Sequence, residues 1–314
     1  MRYISIFILC LLLSCELEEP KGPSLSVVSY NVEAFFDNID HGNEFYDDLY
    51  EKDYNKRIAL MQDVLKTDEI ASADIIFFQE VENEKVLCDL LDSGLRKRGF
   101  TYYGVTSSSS SPIQLGFISK HRVMNLNANI TTTRDILTLT IYKDKKFFNF
   151  IVVHAKSRIG ENTNEIRKDL ARHINVLVKR DKHSRFIILG DFNTELVYDS
   201  SDLISSGNES AVINSGSIPT TPYYSNITYA TFYDPFSDYS YPFLCDGTYY
   251  YKDDWYMLDH IMFNKAVADD LKTFKAHILN LSILKDEFGK PYSFDRNRIC
   301  GYSDHFPIKV DLYY

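Results

Sequence analysis

Residues 185–195 read RFIILGDFNTE, and this stretch organises the rest of the chain. Its apolar run, Phe186 to Leu189, is short and unbroken, as expected of a β-strand that is covered on both faces. Gly190 then allows a close turn of the backbone, and Asp191 and Asn193 follow at the strand's end. Because side chains at i and i+2 of an extended chain point to the same side, this carboxylate and this amide are predicted to face one pocket. Taken alone, the stretch also fits an ordinary strand-to-loop turn, in which Asp and Asn are common.

The same pattern recurs along the chain: an apolar run delivers an acid, an amide or an imidazole at or near its end. Beyond GDFN, it is found in SVVSYN, DIIFFQE, FIVVHAKSR, WYMLDHIMF and GYSDHFPI. The polar residues that these stretches deliver are Asn31, Glu80, His154, Asp259 with His260, and Asp304 with His305. One such stretch is common, but six in one domain indicate a shared functional site.

The short motifs of this chain resemble those of the endonuclease/exonuclease/phosphatase superfamily, which has the DNase I-like fold. In order along the chain they are SYNVE, QE, H-x-K-S, GDFN, LDH and SDH. SYNVEAFFD and GTYYYKDDWYMLDHI are also similar to an exported, lipoprotein-type bacterial branch whose members read YNVENLFD and, later, G-x-Y-x-Y…W-x-x-LDHI. The resemblance runs from Leu25 to the C-terminus. It departs from the branch at Ala34, where Asn is usual, and at Thr194, where Asp is frequent. Neither position is an expected metal ligand.

The resemblance implies an α/β fold in which two β-sheets pack as a sandwich between helices, in four layers ordered α/β/β/α. Residues 25–314 would form this single domain, which is long enough to bury a substantial core. Apolar spacing independently predicts helices within 58–65, 86–95 and 162–180, a strand at 115–119, and an antiparallel pair formed by 138–141 and 147–153.

Two segments lack clear periodicity. Residues 35–53 are acidic and aromatic, and carboxylates such as Asp37 and Asp40 are expected to be solvated there. Residues 196–254 are crowded with Tyr and Phe, and a loop of this length inside a compact domain is usually functional or internally packed. Its rings either form a substrate-facing wall that stacks bases or contacts lipid, or they pack the loop onto the sandwich.

The N-terminus predicts export and a lipid anchor. Residues 1–14 combine one positive charge with an apolar core that is too short to span a bilayer comfortably, as in a signal peptide. LLSC, at residues 12–15, resembles a lipobox, which would make Cys15 the acylated first residue of a membrane-anchored lipoprotein on the periplasmic or cell-surface face. A plain secretory signal cleaved elsewhere is the alternative. Residues 15–24 would then be a charged tether.

Charge and cysteine content limit the remaining alternatives. A net charge of −10 argues against a broad basic surface for wrapping nucleic acid. It does not exclude a nuclease, because a carboxylate-lined site binds divalent cations and local Lys and Arg can hold a phosphate. Contact with a polyanion would be weak, salt-sensitive and metal-dependent. Cys88, Cys245 and Cys300 have no metal-type spacing, and whether Cys245 and Cys300 pair is left open.

By the resemblance, Glu80 is the primary ligand of a divalent cation, and Asn31 and Asp304 match further positions of the metal site. Mg²⁺ is the expected ion, with Mn²⁺ or Ca²⁺ as alternatives, since hard cations take oxygen ligands. Lys156 and Arg158 could both bind the substrate phosphate, although Arg158 could instead lie only at the rim.

The resemblance also assigns the catalytic roles. Asp191 would orient or deprotonate the attacking water, and Asn193 would hold that water or the phosphate. His154 and His305 would contact phosphate oxygens, as donors when protonated. Asp259 is expected to pair with His305, fixing its tautomer and raising its pKa. His260, the strand neighbour of Asp259, points to the opposite side and is predicted to be structural.

The sequence therefore predicts a metal-dependent phosphodiesterase, an exported monomeric nuclease of the endonuclease type that acts on DNA or RNA. Fold alone does not select the substrate within this superfamily. The enzymatic alternative is a sphingomyelinase-like phospholipase C, or another phosphoesterase, with phospholipid as the partner in the first case. The non-enzyme alternative is a surface binding module that has kept the scaffold.

Overall fold

The computed structural model of the chain describes residues 22–39, 49–92, 94–107, 111–130, 134–181, 183–194, 232–237 and 246–314. The predicted signal peptide, the lipidation at Cys15 and most of the aromatic stretch 196–254 lie outside these residues. Cys245 lies outside them too, whereas Cys300 is a free thiol. Among the helices described, none combines the length and the apolar character that crossing a bilayer would require.

The strands that the structure describes form two six-stranded sheets and a separate two-stranded hairpin. In spatial order, the first sheet consists of β13 (Thr273–Ile278), β14 (Ile308–Tyr313), β1 (Leu25–Phe35), β2 (Ile75–Val81), β4 (Gln114–Ser119) and β3 (Tyr102–Val105). The second consists of β5 (Val123–Ile130), β6 (Asp135–Lys143), β7 (Lys146–His154), β8 (Phe186–Asp191), β12 (Asp259–Asn264) and β9 (Phe232–Tyr233). The hairpin is β10 (Tyr249–Tyr251) with β11 (Asp254–Tyr256). Both sheets are mixed, because β1 runs parallel to β2 and β7 runs parallel to β8.

Helices cover the outer faces of both sheets. The described α-helices are α1 (Glu51–Leu65), α2 (Asp68–Ala71), α3 (Glu84–Asp92), α4 (Thr163–Arg180) and α5 (Lys265–Ala268). Apolar residues of α1 and α3 belong to the large core that includes the first sheet, whereas α4 packs on the second sheet in a smaller core. The predicted sandwich of two sheets flanked by helices is therefore confirmed.

Strand β8 shows how the sequence supplies a core on each side of a sheet. Ile187 and Leu189 belong to the core between the sheets, and Ile188 belongs to the core beneath α4. Because successive side chains of a strand alternate between faces, Asp191 follows Ile187 and Leu189 onto the side that looks toward the first sheet. The apolar run thus carries its terminal carboxylate to the space between the sheets.

Gly190 is the point of closest approach between β7 and β8. Its φ is +133°, and a Cβ built on it would lie 1.9 Å from the carbonyl oxygen of Val153. The register pairs Val153 with Gly190 and His154 with Asp191. Any side chain at position 190 would therefore push apart the two strands that carry His154 and Asp191.

Asp37 is buried, so the expectation that it is solvated was wrong. Its carboxylate accepts hydrogen bonds from the backbone N of Ile39 at 2.6 Å and from Nδ2 of Asn83 at 3.1 Å. The acidic composition of residues 35–53 does not indicate this burial, because the partner Asn83 lies just after strand β2 and not in the segment itself. Asp40 lies outside the described residues.

We expect Gly190→Ala to destabilise the fold, because its methyl group would have to displace the Val153 carbonyl together with strand β7. The free energy of unfolding, measured by urea denaturation, should fall by about 3 kcal/mol or more, as for other severe core substitutions.

Gly289→Ala is the matched control, since Gly289 also has a positive φ, +81°, but nothing lies within 4 Å of a Cβ there. Its free energy of unfolding should fall by only roughly 1–2 kcal/mol, which is the cost of placing a Cβ in the left-handed region of backbone conformation. Equal losses in the two variants would contradict a steric requirement at position 190.

Candidate active site

Three neighbouring strands of the second sheet place three polar side chains side by side. His154 ends β7 and pairs in register with Asp191 at the end of β8, and Asp191 pairs with Asp259 at the start of β12. All three residues are buried. Because directly opposed residues of adjacent strands share a face, these side chains point together toward the first sheet. His154 Nε2 lies 3.6 Å from Asp191 Oδ2.

The first sheet supplies an amide and a carboxylate from the opposite side. Asn31 Nδ2 donates to Asp191 Oδ2 at 3.0 Å and to Glu80 Oε1 at 3.3 Å, so one side chain connects the two sheets. Glu80 has a positive φ of 66°, and its Oε1 lies 3.5 Å from His154 Nε2. Non-glycine residues with positive φ are uncommon and often occur at functional sites. The candidate active site therefore lies between the sheets at one end of the sandwich.

Asp191 and Asn193 meet through a tight turn and not through the strand alternation expected from the sequence. Strand β8 ends at Asp191, and Asn193 has a φ of +50°. The backbone N of Asn193 donates to Asp191 Oδ1 at 2.7 Å, and its Nδ2 donates to Asp191 Oδ2 at 3.2 Å and to the Ala155 carbonyl at 3.0 Å. This turn, of the kind that Asp residues commonly make with the backbone two positions on, holds the Asp191 carboxylate in one orientation.

His305 lies against Asp259. Its Nδ1 is 2.7 Å from Asp259 Oδ2, and the same oxygen accepts a hydrogen bond from Thr248 Oγ1 at 2.6 Å. The other ring nitrogen, Nε2, faces Asp191 Oδ2 at 4.0 Å. A carboxylate bound to one imidazole nitrogen fixes the tautomer and leaves the other nitrogen facing Asp191.

Two hydroxyl residues that sequence reasoning missed hold this arrangement in place. Thr248 orients Asp259, and Ser303 Oγ donates to the Asn31 carbonyl at 2.6 Å while accepting from the His305 backbone N at 3.1 Å. Both residues lie inside the motifs GTYYY and GYSDH. Their presence in those motifs was the available signal, but a hydroxyl's partner cannot be read from a motif.

Arg57, on α1, was missed as well, because an arginine in an amphipathic helix is usually a surface residue. Its guanidinium is buried. The groups around it are the carbonyls of Val32, Glu33 and Ala34 and the rings of Phe35 and Phe294. Glu33 and Ala34 have positive φ, and the Ala34 backbone N donates to Glu80 Oε2 at 2.8 Å. Arg57 thereby fixes the backbone donor that orients Glu80.

The other predicted residues lie around this centre. Asp304 Oδ1 is 4.0 Å from His305 Nε2. Lys156 is half-buried two positions beyond His154. Arg158 donates from Nη2 to Thr194 Oγ1 at 3.1 Å, in the turn that follows β8.

His260 lies away from the site, on the other face of β12 from Asp259. It is fully buried, with Nδ1 2.7 Å from Asp234 Oδ2 and Nε2 3.1 Å from the Met257 carbonyl. Burial lowers its pKa, but the Asp234 carboxylate, with smaller contributions from Asp259 and the Thr194 carbonyl, outweighs burial, and the pKa is raised overall. Its contacts are those of a structural ion pair.

Burial and the neighbouring charges together raise the pKa of Asp191 and the pKa of His305. Burial, together with the Asp259 and Glu80 carboxylates, raises the pKa of Asp191 to about 7 despite the opposing effect of His305. Burial lowers the pKa of His305, but the carboxylates of Asp259, Asp304 and Asp191 together outweigh burial and hold that pKa well above 6.5. Near neutral pH the site thus pairs a protonated imidazole with a carboxylate close to its titration midpoint.

His154 behaves differently from His305. Its ring is buried, and the positive charges of Arg134, His305 and Lys156 add to burial in holding its pKa well below 6.5. The neutral form is therefore favoured near pH 7, so the charged donor foreseen from the sequence is available from His305 and not from His154. A neutral imidazole still donates one hydrogen bond.

The donor set fits a hard divalent cation. Burial and the Glu80 carboxylate raise the pKa of Asp304, against the opposing effect of His305, so the carboxylates repel one another as placed. Asp259 Oδ1 is buried without a hydrogen-bond partner. Ligand atoms of Asp191, Asp259 and His305 lie within 4.8 Å of one another. Asp259 Oδ2 already accepts hydrogen bonds from His305 and Thr248, so the oxygen of this carboxylate that is open to a cation is Oδ1.

Comparisons with known proteins bear on the chain as a whole. A family model described as the Endonuclease/Exonuclease/phosphatase family matches residues 26–313. No curated protein matches the sequence.

Solved structures share the fold at low sequence identity. A humanized D. rerio TDP2 carrying 14 mutations has a TM-score of 0.59 and 15% identity, covering 92% of this chain and 99% of that one. D. rerio TDP2 has also been solved with a single strand DNA product. Beta toxin from Staphylococcus aureus has a TM-score of 0.55 and 20% identity, with coverage of 91% and 99%. A mannosyl-6-phosphatase from Bacteroides thetaiotaomicron has a TM-score of 0.53 and 16% identity, with coverage of 92% and 100%.

Asp259→Asn should move the titration of His305 to lower pH. The carboxylate favours the charged ring, so its removal should lower the pKa of His305 by about 1–3 pH units, the usual effect of an opposite charge at this distance. The ring nitrogens can be followed by ¹H–¹⁵N NMR during a pH titration of the metal-free protein.

The exposed Asp68, whose side chain contacts Arg98, provides the control. Asp68→Asn should leave the His305 titration in place. A titration that is unchanged in Asp259→Asn would mean that the pair does not set the charge of His305.

Proposed function

The chain belongs to the endonuclease/exonuclease/phosphatase family, and from this premise we propose that it is a metal-dependent phosphodiester hydrolase that cleaves nucleic acid. Members of this family are phosphoesterase hydrolases, and they generally depend on a divalent metal. The observation that carries the proposal is the position of Asp191. Its carboxylate lies between His154 and His305 and accepts a hydrogen bond from Asn31, in a buried site that also holds Glu80.

Glu80, Asp304 and Asn31 are the residues that would hold the metal. Mg²⁺ is the ion we propose, with Mn²⁺ or Ca²⁺ as alternatives, because every one of these ligands offers oxygen. When bound, a divalent cation neutralises negative charge on the phosphoryl group, which otherwise repels a nucleophile.

Asp191 is the proposed base for the attacking water. Its two oxygens are held by Asn31 and Asn193, so its orientation is set before substrate binds. A pKa of about 7 lets the carboxylate accept a proton from water near neutral pH and release it again. Asn193 is close enough to Asp191 to contact the same water.

His305 is the proposed electrophilic group at the phosphoryl oxygens. Asp259 favours its charged form, so the ring can donate a charge-assisted hydrogen bond from Nε2. His154 would donate as a neutral ring, and Lys156 and Arg158 would contact the phosphate from the rim. Together these groups would place positive charge where negative charge develops in the transition state.

Support for nucleic acid as the substrate comes from the branch-type motifs of the sequence, SYNVEAFFD and GTYYYKDDWYMLDHI, and not from overall charge. Phospholipid is the alternative, in a reaction of the phospholipase C type, and a small phosphate ester is another. A binding module without activity would have no need of the Asp191, His305 and Glu80 arrangement.

Glu80→Gln should reduce hydrolysis steeply, because it preserves the shape of the side chain and removes the charge that would hold a hard cation. A loss of roughly 10²–10⁴ in turnover is the scale of a positioned catalytic group. Hydrolysis by the full chain would be measured on single-stranded and double-stranded DNA, RNA, sphingomyelin and 4-nitrophenyl phosphate, each with Mg²⁺, Mn²⁺, Ca²⁺ or EDTA.

Raising Mg²⁺ should recover part of the lost activity in Glu80→Gln. Glu84→Gln, which changes an exposed carboxylate on α3, should behave as wild type. Full wild-type activity in excess EDTA would refute the metal-dependent mechanism. Hydrolysis of sphingomyelin or of 4-nitrophenyl phosphate without cleavage of any nucleic acid would refute the nuclease assignment alone.

We also propose that the protein is exported and anchored to a membrane through Cys15, with a signal peptide at residues 1–14 and a tether at 15–24. The support is the lipobox-like LLSC at residues 12–15. Two lipid chains on one cysteine would suffice for stable attachment without a transmembrane helix.

Cys15→Ser should move the protein out of the detergent-extracted membrane fraction, because serine cannot carry the thioether-linked lipid. The measurement is the distribution of the full chain between soluble and membrane fractions. Cys88→Ser, at a half-buried thiol on α3, is the control and should not change that distribution. Unchanged partitioning of Cys15→Ser, together with an intact residue 1–14 segment, would exclude the lipoprotein assignment.

A further inference from the structure

The β10–β11 hairpin adjoins the active site at its base. Gly247 precedes it, and a Cβ there would lie 2.6 Å from the Tyr256 carbonyl, so the hairpin closes only with glycine at this position. Thr248 donates from Oγ1 to Asp259, and its carbonyl accepts from the Phe306 backbone N at 2.8 Å. The base of the hairpin is therefore fixed to Asp259 and to the residue that follows His305.

The two faces of the hairpin make different contacts. On one face, Tyr250 packs edge-on against Trp255 at 5.2 Å, and Trp255 stacks at 5.9 Å on the buried ring of Phe306. This face attaches the hairpin to the core. Because side chains alternate along a strand, Tyr249 and Tyr251 occupy the other face.

Tyr249 and Tyr251 continue the line of aromatic rings that begins at His305. The Tyr249 ring lies 4.8 Å from the His305 ring, with 34° between their planes. The Tyr251 ring lies 6.2 Å from that of Tyr249, with only 23° between them. Tyr251 is 44% exposed, so this run of rings leads from the proposed phosphoryl-binding imidazole out to solvent.

We propose that Tyr249 and Tyr251 form a stacking platform for an unpaired nucleobase next to the scissile phosphate. The inference rests on the proposed nuclease function and makes single-stranded or locally unpaired nucleic acid its substrate. Stacking on an aromatic ring is available to every base, so the platform would bind without sequence preference. It would also hold the neighbouring phosphate close to His305.

The tip of the hairpin favours a base over a lipid surface. The two turn residues, Lys252 and Asp253, both have positive φ, as in the tight turns that join two strands. They and Asp254 are exposed and charged. Inserting three charged side chains into a bilayer is costly, whereas a charged, hydrated tip is compatible with a nucleic-acid strand. Lys252 Nζ, 5.2 Å from the Tyr251 ring, is also placed to meet a backbone phosphate.

Tyr251→Ala tests the platform by binding, in a full-length Asp191→Asn background that would not cleave the ligand. Two probes are used: a fluorescein-labelled single-stranded oligothymidylate, and a chain of the same length and charge in which the bases are absent. Fluorescence anisotropy should show Kd for the oligothymidylate rising roughly 5–150-fold, the effect of losing one stacked base. Kd for the abasic chain should not change, because it has nothing to stack.

Two further variants separate stacking from structural damage. Tyr251→Phe keeps the ring and should bind as the unsubstituted background does. Tyr142→Ala removes another exposed tyrosine, 49% exposed and 4.8 Å from Phe147, near the β6–β7 turn, and should also bind normally. Equal weakening for both probes, no weakening, or no binding of either probe would overturn the platform.

Cleavage by the wild-type chain is scored separately, so the two proposals can fail independently. Cleavage of oligothymidylate with unchanged binding by Tyr251→Ala would overturn the platform and leave the nuclease function standing. Base-dependent binding without any cleavage of nucleic acid would overturn the nuclease function and support the platform.

Discussion

The close contact between β7 and β8 at Gly190 is the constraint on which the site depends. A carbonyl of Val153 occupies the space that any other side chain would need, so the two strands can lie in this register only with glycine at position 190. That register sets His154 beside Asp191, and the next strand pair sets Asp259 beside Asp191. Three side chains of the candidate site are thus aligned by backbone hydrogen bonding, and none of them needs a flexible loop to reach the others.

Gathering carboxylates in a buried space costs free energy, and the structure offsets that cost with directed donors. Asn31 donates to both Asp191 and Glu80, and the Ala34 backbone N donates to the other oxygen of Glu80. The Ala34 donor is itself held by Arg57, which is buried against the same loop. Burial, together with the remaining repulsion from the Asp259 and Glu80 carboxylates, raises the pKa of Asp191 to about 7. The burial and repulsion that destabilise the site thus also bring the titration of this carboxylate close to neutral pH.

Much of the fold could be predicted from the sequence, because Asn31, Glu80, His154 and Asp191 each lie at or near the end of an apolar run of the length of a strand. The same expectation was wrong for Asp259, which begins β12, and for His305, which precedes β14. The runs ending at Asn31, Glu80 and His154 became β1, β2 and β7, and residues 138–141 and 147–153 became the predicted antiparallel pair. Supporting residues could not be found in this way. Arg57, Thr248 and Ser303 act through contacts to residues distant in the chain or on other elements, and no local pattern encodes such a contact.

Strand alternation explains why functional and structural residues stand next to each other in the motifs. In the LDH motif, Asp259 faces the site and binds His305, while the adjacent His260 faces the opposite side and binds Asp234. The hairpin repeats this division, with Tyr249 beside His305 and Tyr250 packed on Trp255. A motif of consecutive polar or aromatic letters therefore contains two sets of contacts, one for each face. Only the register of the strand in the folded sheet decides which of these residues face the candidate active site.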